Sequence, residues 1–292
     1  MKQILSFLLV IILFGCFAPE KELDNTFYVF NNAVRTLQNA PQGLDAQARF
    51  IKNLGFDGFA GHHSEDYFPR RAALDKVGLE MPEIYLSVTI NDDGSVTYME
   101  GLYEIIKDSK DRNLVVALAA FGKPFLDNKE EGDKHLVKAI QELADFAAAY
   151  GVKIAVYPHV NFYCERLDHS IKIAEEVNRP NVGAIFNTCH LFKVEGMEGW
   201  EQKLKEAVPY LYMISLNGLD SGETTNMDWD RLIQPLGEGT FDTYQIVKVA
   251  KDAGYNGLFG LQCYNIKQDA EVALTKSITT WREYQKRYAE EK

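Results

Sequence analysis

The stretch 182-VGAIFNTCH-190 runs five apolar residues, Val182 to Phe186, straight into a polar cluster, Asn187 to His190. A strand with one face in water alternates apolar and polar side chains, whereas an unbroken apolar run belongs to a strand covered on both faces, as parallel strands are. Runs of the same kind recur at 27-FYVFN-31, 57-DGFAG-61, 83-EIYLSV-88, 114-LVVALA-119, 152-VKIAVYP-158, 211-LYMISLN-217 and 257-GLFGLQC-263. Their starts lie mostly 26 to 38 residues apart, with one step of 46 before the last, the length of a strand, a helix and two loops. Between them lie amphipathic segments such as 134-KHLVKAIQELADFAAAYG-151, where Leu136, Ile140, Leu143 and Ala147 fall on one stripe. Glycines at 55, 78, 151 and 254 stand where such helices stop, just before the next strand. The junctions 55-GFDGF-59 and 254-GYNGL-258 echo each other, as repeated units would. Eight strand-helix units in one α/β domain, with no linker to divide it, match a closed (β/α)8 TIM barrel better than an open doubly wound sheet of six strands.

In such a barrel the carboxyl ends of the strands carry the chemistry. The polar residues expected there are Asn31 and Asn32, His62 and His63, Tyr157, His159 and Asn161, Asn187, Cys189 and His190, Ser215 and Asn217, and Gln262. Five of the six histidines of the chain fall in these places or, for His169, just after one of them. His159 and His190 are the expected proton-transfer pair, since imidazole titrates near neutrality. Tyr157, Asn187, Asn217, Gln262 and His62 are expected to bind a polyhydroxylated ligand through amides, hydroxyls and a ring nitrogen, with Trp229 stacking on it from the long seventh loop. Cys189 reads as a small buried hydrophobe, because its neighbour His190 points the other way on an extended strand end. Glu165 and Asp220 are the carboxylates nearest the fifth and seventh strand ends and read as loop-surface charge.

The amino terminus has its own character. Lys2 precedes an apolar stretch, Ile4 to Phe14, broken only by Ser6, and 13-LFGC-16 closes it. Eleven residues suit the core of a signal peptide and fall short of the roughly 20 that span a bilayer. The expectation is a signal peptide over 1–15, a lipid on Cys16 in the manner of bacterial lipoproteins, a tether over 16–26 and the barrel over 27–292. The mature chain would then sit in the cell envelope and touch the membrane only through its lipid. The formal charge of −11 disfavours nucleic acid, which demands a basic face. Cys164, Cys189 and Cys263 are odd in number and lack metal-type spacing, although one pair could bridge in an oxidising compartment. The oligomeric state is open, a homo-oligomer included.

The segments 236-LGEGTFD-242 and 254-GYNGLFGLQ-262 resemble the closing signature of the xylose-isomerase-like sugar phosphate isomerase/epimerase superfamily. The resemblance extends upstream through 182-VGAIFNTCH-190 to 150-YGVKIAVYPH-159, the counterpart of that family's fifth strand. It implies a divalent metal held by carboxylates on strands five, six and eight and a histidine on strand seven, with proton abstraction next to a sugar carbonyl. At those positions this chain carries Tyr157, Asn187, Ser215 and Gln262. Hard cations need anionic oxygens to repay dehydration, so the family's metal is not expected here; an imidazole-held Zn²⁺ or Cu²⁺ on His159, His190 and His62 is the metal alternative. The resemblance therefore implies a sugar isomerase or epimerase, or a lyase on a keto-sugar, working without the usual metal. A carbohydrate-binding lipoprotein without catalysis and a structural subunit are the competing classes, since barrels host many functions. No Gly-rich loop or basic cluster at the strand ends points to a phosphorylated substrate.

Overall fold

The computed structural model describes residues 22–291. Its strands form one sheet whose parallel members run, in barrel order, Phe27–Val29, a second strand in two pieces at Gly58–Phe59 and Gly61–His62, Glu83–Ile90, Val115–Phe121, Lys153–Val156, Val182–Asn187, Leu211–Leu216 and Leu258–Leu261. The eighth strand pairs with the first, Tyr28 opposite Gly260. The sheet closes through the second, whose first piece pairs with strand one and whose second piece pairs with strand three. All eight expected strands are present and parallel, so the (β/α)8 reading holds.

The helices between them cover the outside. The longest in the middle of the chain, Lys129–Ala148, begins five residues before the stripe read from the sequence and buries Leu136, Ile140, Leu143 and Ala147. Gly55, Gly78, Gly151 and Gly254 all hold the left-handed backbone that ends a helix without steric cost. One element was not anticipated: Val96–Tyr98 folds back antiparallel on the end of the third strand. The Asp93–Gly94 turn is its sequence signal, with the Asp93 carboxylate accepting from Ser95 N–H at 2.9 Å.

Two apolar layers result. The larger lies between strands and helices. The smaller fills the barrel and consists of Tyr28, Phe30, Ala60, Val115, Ala117, Ala155, Tyr157, Ile185 and Met213. Aromatic rings from the first strand need a small partner on the eighth. A methyl group placed on Gly260 would stand 2.4 Å from Phe30 Cε1 and 2.7 Å from Tyr28 Cζ.

Residues assigned above to the tether are partly built into the domain. Leu23 is buried, Asn25 Nδ2 donates to Gly257 O at 2.8 Å, and Gln285 Nε2 donates to Leu23 O at 3.0 Å. The packed domain therefore starts before Phe27. The expected signal peptide and the lipidated Cys16 lie outside the described residues.

His169, counted with the strand-end histidines above, belongs elsewhere. Its Nε2 meets buried Asp133 at 2.7 Å, and the same carboxylate accepts from Tyr163 Oη at 2.8 Å and Lys172 Nζ at 2.6 Å. Burial alone would raise the pKa of Asp133; hydrogen bonds from His169, Lys172 and Tyr163 outweigh it and hold the carboxyl well below its usual range. This node ties the Lys129–Ala148 helix to the loop after the fifth strand.

Gly260→Ala is expected to lower stability by about 1–3 kcal/mol, the usual cost of overpacking, read as a shift of the urea midpoint with unchanged slope.

Candidate functional site

The carboxyl ends of the strands open into a cavity of about 540 Å³. Phe30, Asn31, Asn32 and Arg35 line it from the first unit, His62 from the second, Glu83 and Tyr85 from the third, and Tyr157, His159 and Phe162 from the fifth. His190, Trp229, Ile233, Gln262 and Tyr264 complete the wall.

Local sequence explains how the two histidines arrive there. After Val156 the fifth strand stops pairing; Pro158 has no N–H to continue the ladder, and His159 N–H turns back to Cys164 O at 3.0 Å. The sixth strand passes directly into the helix Thr188–Glu195, which places His190 in its first turn and buries it to 5% exposure. Thr188 Oγ1 fixes that turn by donating to Ser215 O at 2.6 Å. The rings of His159 and His190 then lie 3.8 Å apart. His159 Nδ1 is 2.8 Å from Val160 O, a pure acceptor, so Nδ1 carries the proton and Nε2 keeps the lone pair. His190 Nδ1 is buried with no partner.

Burial lowers the pKa of His159, against smaller raising effects from Val160 O and Glu165. Burial, with the charge of His159 second, holds His190 well below the ordinary value. Both are neutral at pH 7. A stacked series of rings continues on either side: Phe162 lies 3.9 Å from His159, Phe121 lies 4.4 Å from Phe162, and Trp229 meets His190 edge-on at 5.5 Å. Lys193 holds the Trp229 loop, with Nζ donating to Met227 O at 2.8 Å and lying 5.7 Å over the indole.

The remaining expected residues divide. Gln262 lines the cavity; its Oε1 accepts from Asn32 Nδ2 and from the backbone N–H groups of Cys263 and Tyr264, both at 3.0 Å, which leaves its amide N–H₂ free to donate. Tyr157 lines the cavity and receives a hydrogen bond from Asn187 Nδ2 at 2.6 Å, so Asn187 supports Tyr157 from below. Asn217 is turned away: it is fully buried and donates to Gly218 O at 2.8 Å and Leu232 O at 2.7 Å, pinning the seventh loop. His62 lines the cavity against Tyr85, and His63 is exposed with φ of +69°. Burial chiefly, then His63, Arg35 and Arg70, lower the pKa of His62 to about 3.

Cys189 is wholly buried, donates to Asn187 Oδ1 at 3.3 Å, and has its thiol pushed up to about 12 by burial. All three described cysteines are unpaired, so none of the bridges considered above forms. Glu165 caps Asn161 N–H at 2.7 Å and Asp220 pairs with Arg231 at 2.7 Å, both in loops.

The donor set does not fit the metal that the resemblance implies. Of its four positions, Tyr157 is a buried phenol held protonated, Asn187 is committed to Tyr157, and the Gln262 oxygen already accepts three hydrogen bonds. Ser215 Oγ is buried and unpartnered, a neutral hydroxyl. His62 does not join the other two imidazoles, and no group of three or more His, Cys, Asp or Glu converges among the described residues. None of these positions offers the anionic oxygen that a hard cation needs.

Sequence reading missed Glu83, Tyr85, Phe162, Arg35 and Tyr264. Glu83 and Tyr85 alternate on one face of 83-EIYLSV-88, so a carboxylate inside the barrel was legible from the period of two. Glu83 opens its strand, at the end opposite to the one where barrel sites form.

A family model described as the xylose isomerase-like TIM barrel matches residues 48–284. An inosose isomerase of Halalkalibacterium halodurans (strain C-125) is 25% identical over 159 residues, 52% of this chain and 55% of that protein. One of Bacillus subtilis (strain 168) is 26% identical over the same length, 52% and 56%. The chain thus spans about half the length of the curated relatives it matches. Solved structures show the same fold. The IOLI protein with a bound zinc atom has a TM-score of 0.69 at 18% identity, covering 90% of this chain and 99% of its own. The 3-keto-D-glucoside 4-epimerase of E. coli has 0.67 at 17%, covering 89% and 99%. With more than half its length matched by the family model, and a TIM barrel present in the structure, this chain belongs to the xylose isomerase-like TIM barrel family.

Proposed function

We propose that the protein is a sugar isomerase or epimerase that acts by removing a proton from carbon next to a carbonyl, on an unphosphorylated keto-sugar or keto-polyol. The observation that carries this reading is the neutral His159–His190 pair at the mouth of the barrel, with the His159 Nε2 lone pair unengaged. Inosose isomerases among the relatives support the substrate class. A lyase acting on a keto-sugar would begin with the same proton removal.

The site supplies what that chemistry needs from protein groups. The packed rings Phe162, His159, His190 and Trp229 give one aromatic side of the cavity against which a sugar can lie. Asn32 and Gln262 face it with amides that suit hydroxyls, and the free Gln262 N–H₂ can donate to the carbonyl oxygen. His159 Nε2 takes the proton from carbon; His190 packs on its ring and fixes its tilt. Because its pKa is lowered, the base stays ready at mildly acid pH.

Deuterium uptake from D₂O into inosose and a 3-keto-glucoside, followed by NMR, tests this. Exchange next to the carbonyl and slow appearance of an isomer are expected, with a rate that holds level from pH 8 to below 6.5 and then falls as His159 protonates. His159→Gln should slow exchange by about 10²–10⁴-fold, the typical worth of a general base. Tight binding of these sugars with no exchange in the wild-type protein would instead support a carbohydrate-binding role.

We also propose export and lipid anchoring through Cys16, on the strength of 13-LFGC-16. Cys16→Ser should move the protein from the membrane to the soluble fraction and abolish incorporation of labelled palmitate; unchanged fractionation and labelling would remove the anchor from the reading.

A further inference from the structure

Glu83 is buried to 3% exposure inside the barrel, and its side chain makes no hydrogen bond or ion pair among the described residues. Structural carboxylates inside proteins are held by cations or N–H donors. Asp133 in this same chain shows that arrangement, with three donors on its carboxylate. Glu83 has none, and it borders the cavity whose wall also carries His159 and Gln262. The groups around it are phenols: Tyr85 two residues along its own strand, and Tyr28 and Tyr157 of the first and fifth strands in the barrel interior. Among the described residues no Lys or Arg forms an ion pair with it. A carboxyl so placed is kept for what enters the cavity.

We infer that Glu83 is the group that hands a proton to the carbonyl oxygen of the bound keto-sugar and takes one back, working as the partner of His159. This rests on the reading of the site given above. As His159 Nε2 takes the proton from carbon, the electrons of the C–H bond become the C=C bond, and the carbonyl π pair takes the proton of the Glu83 carboxyl. The product is a neutral enediol between an imidazolium and a carboxylate. In the second half, the hydroxyl on the neighbouring carbon gives its proton to the Glu83 carboxylate as its own carbonyl forms. As it does so, the C=C electron pair takes the imidazolium proton at the other carbon, the one that began as the carbonyl. Protons and electrons balance without an added reagent.

Charge is the reason this scheme suits the cavity. Proton removal alone would create an enediolate in a buried site lined by amides and aromatic rings, where an unpaired anion is costly. Paired transfer moves one positive and one negative charge onto the protein together, and the substrate stays neutral throughout. Burial also raises the Glu83 pKa well above that of an ordinary carboxyl, which keeps it loaded with a proton at neutral pH.

The experiment compares wild type, Glu83→Gln, Glu83→Asp and His159→Gln in deuterium exchange on inosose and a 3-keto-glucoside. Thermal midpoints of wild type and Glu83→Gln are recorded from pH 4 to 8, and calorimetry with myo-inositol, which has no carbonyl, reads binding. Glu83→Gln should lose about 10²–10⁴-fold in exchange rate while binding myo-inositol as wild type does. Glu83→Asp, shorter but still an acid, should recover part of the rate. The sign of the thermal test follows from the raised pKa: the unfolded chain releases this proton near pH 4.5, the folded one at higher pH, so wild type loses stability as pH rises through that window. Glu83→Gln lacks that loss, and its midpoint should climb relative to wild type between pH 4.5 and 8. Exchange in Glu83→Gln equal to wild type, with His159→Gln still inactive, would overturn the role of Glu83 and leave the isomerase reading intact. A midpoint difference that does not change with pH would also overturn it, since the carboxyl would then be charged at neutrality. Absence of exchange in wild type on both sugars would overturn the two readings together.

Discussion

Closing a parallel sheet on itself removes both of its faces from water, and everything in this protein follows from what that costs. The outer face is covered by helices and presents no difficulty, because it is apolar. The inner face has a fixed volume, so ring must be matched with glycine. Tyr28 and Phe30 press toward the barrel axis from the first strand, and Gly260 on the eighth leaves the room they occupy. Above that packed layer the interior turns polar, and several of its polar groups are bound to one another or border the cavity. Asn187 to Tyr157 and Asn32 to Gln262 are of the first kind, and the free amide N–H₂ of Gln262 is of the second; the Glu83 carboxyl borders the cavity from lower down, level with Val115.

Much of this was legible in the sequence. Unbroken apolar runs located all eight strands, because burial on both faces leaves no alternation to confuse with an amphipathic element. Glycines 55, 78, 151 and 254 marked helix ends for one local steric reason, their left-handed backbone. The site was read less completely. Tyr157, His159, His190, Trp229, His62 and Gln262 do line one cavity, since strand carboxyl ends converge by geometry. Asn217 sits at such an end yet points into the loop that follows, where two backbone carbonyls take its amide. Position along the chain could not distinguish these, because a residue just past the last rung of a strand is free to rotate to either side. His169 misled for a similar reason: proximity in sequence to the fifth strand placed it near the site, whereas a helix carries it to Asp133.

The loop after the fifth strand shows how distant residues reach the chemistry. It carries His159 and Phe162, and it has little regular structure of its own. What fixes it is Tyr163, whose hydroxyl is shared between Asp133 and Lys129 O at 2.9 Å, and whose backbone carbonyl accepts from Lys129 Nζ at 2.7 Å. The orientation of the proposed base is thereby referred to the amino end of the Lys129–Ala148 helix. A precise site on a loop needs such a support, since loops by themselves do not hold geometry.

The second strand of the barrel is split, two residues pairing with strand one and two with strand three. Every other junction in the ring is joined by three or more register pairs. Rungs are fewest on the two sides of strand two, where local opening costs least. His62 stands on that seam and also lines the cavity. The hoop is thus most sparsely jointed beside its mouth, at the stave that also lends a ring nitrogen to the ligand chamber.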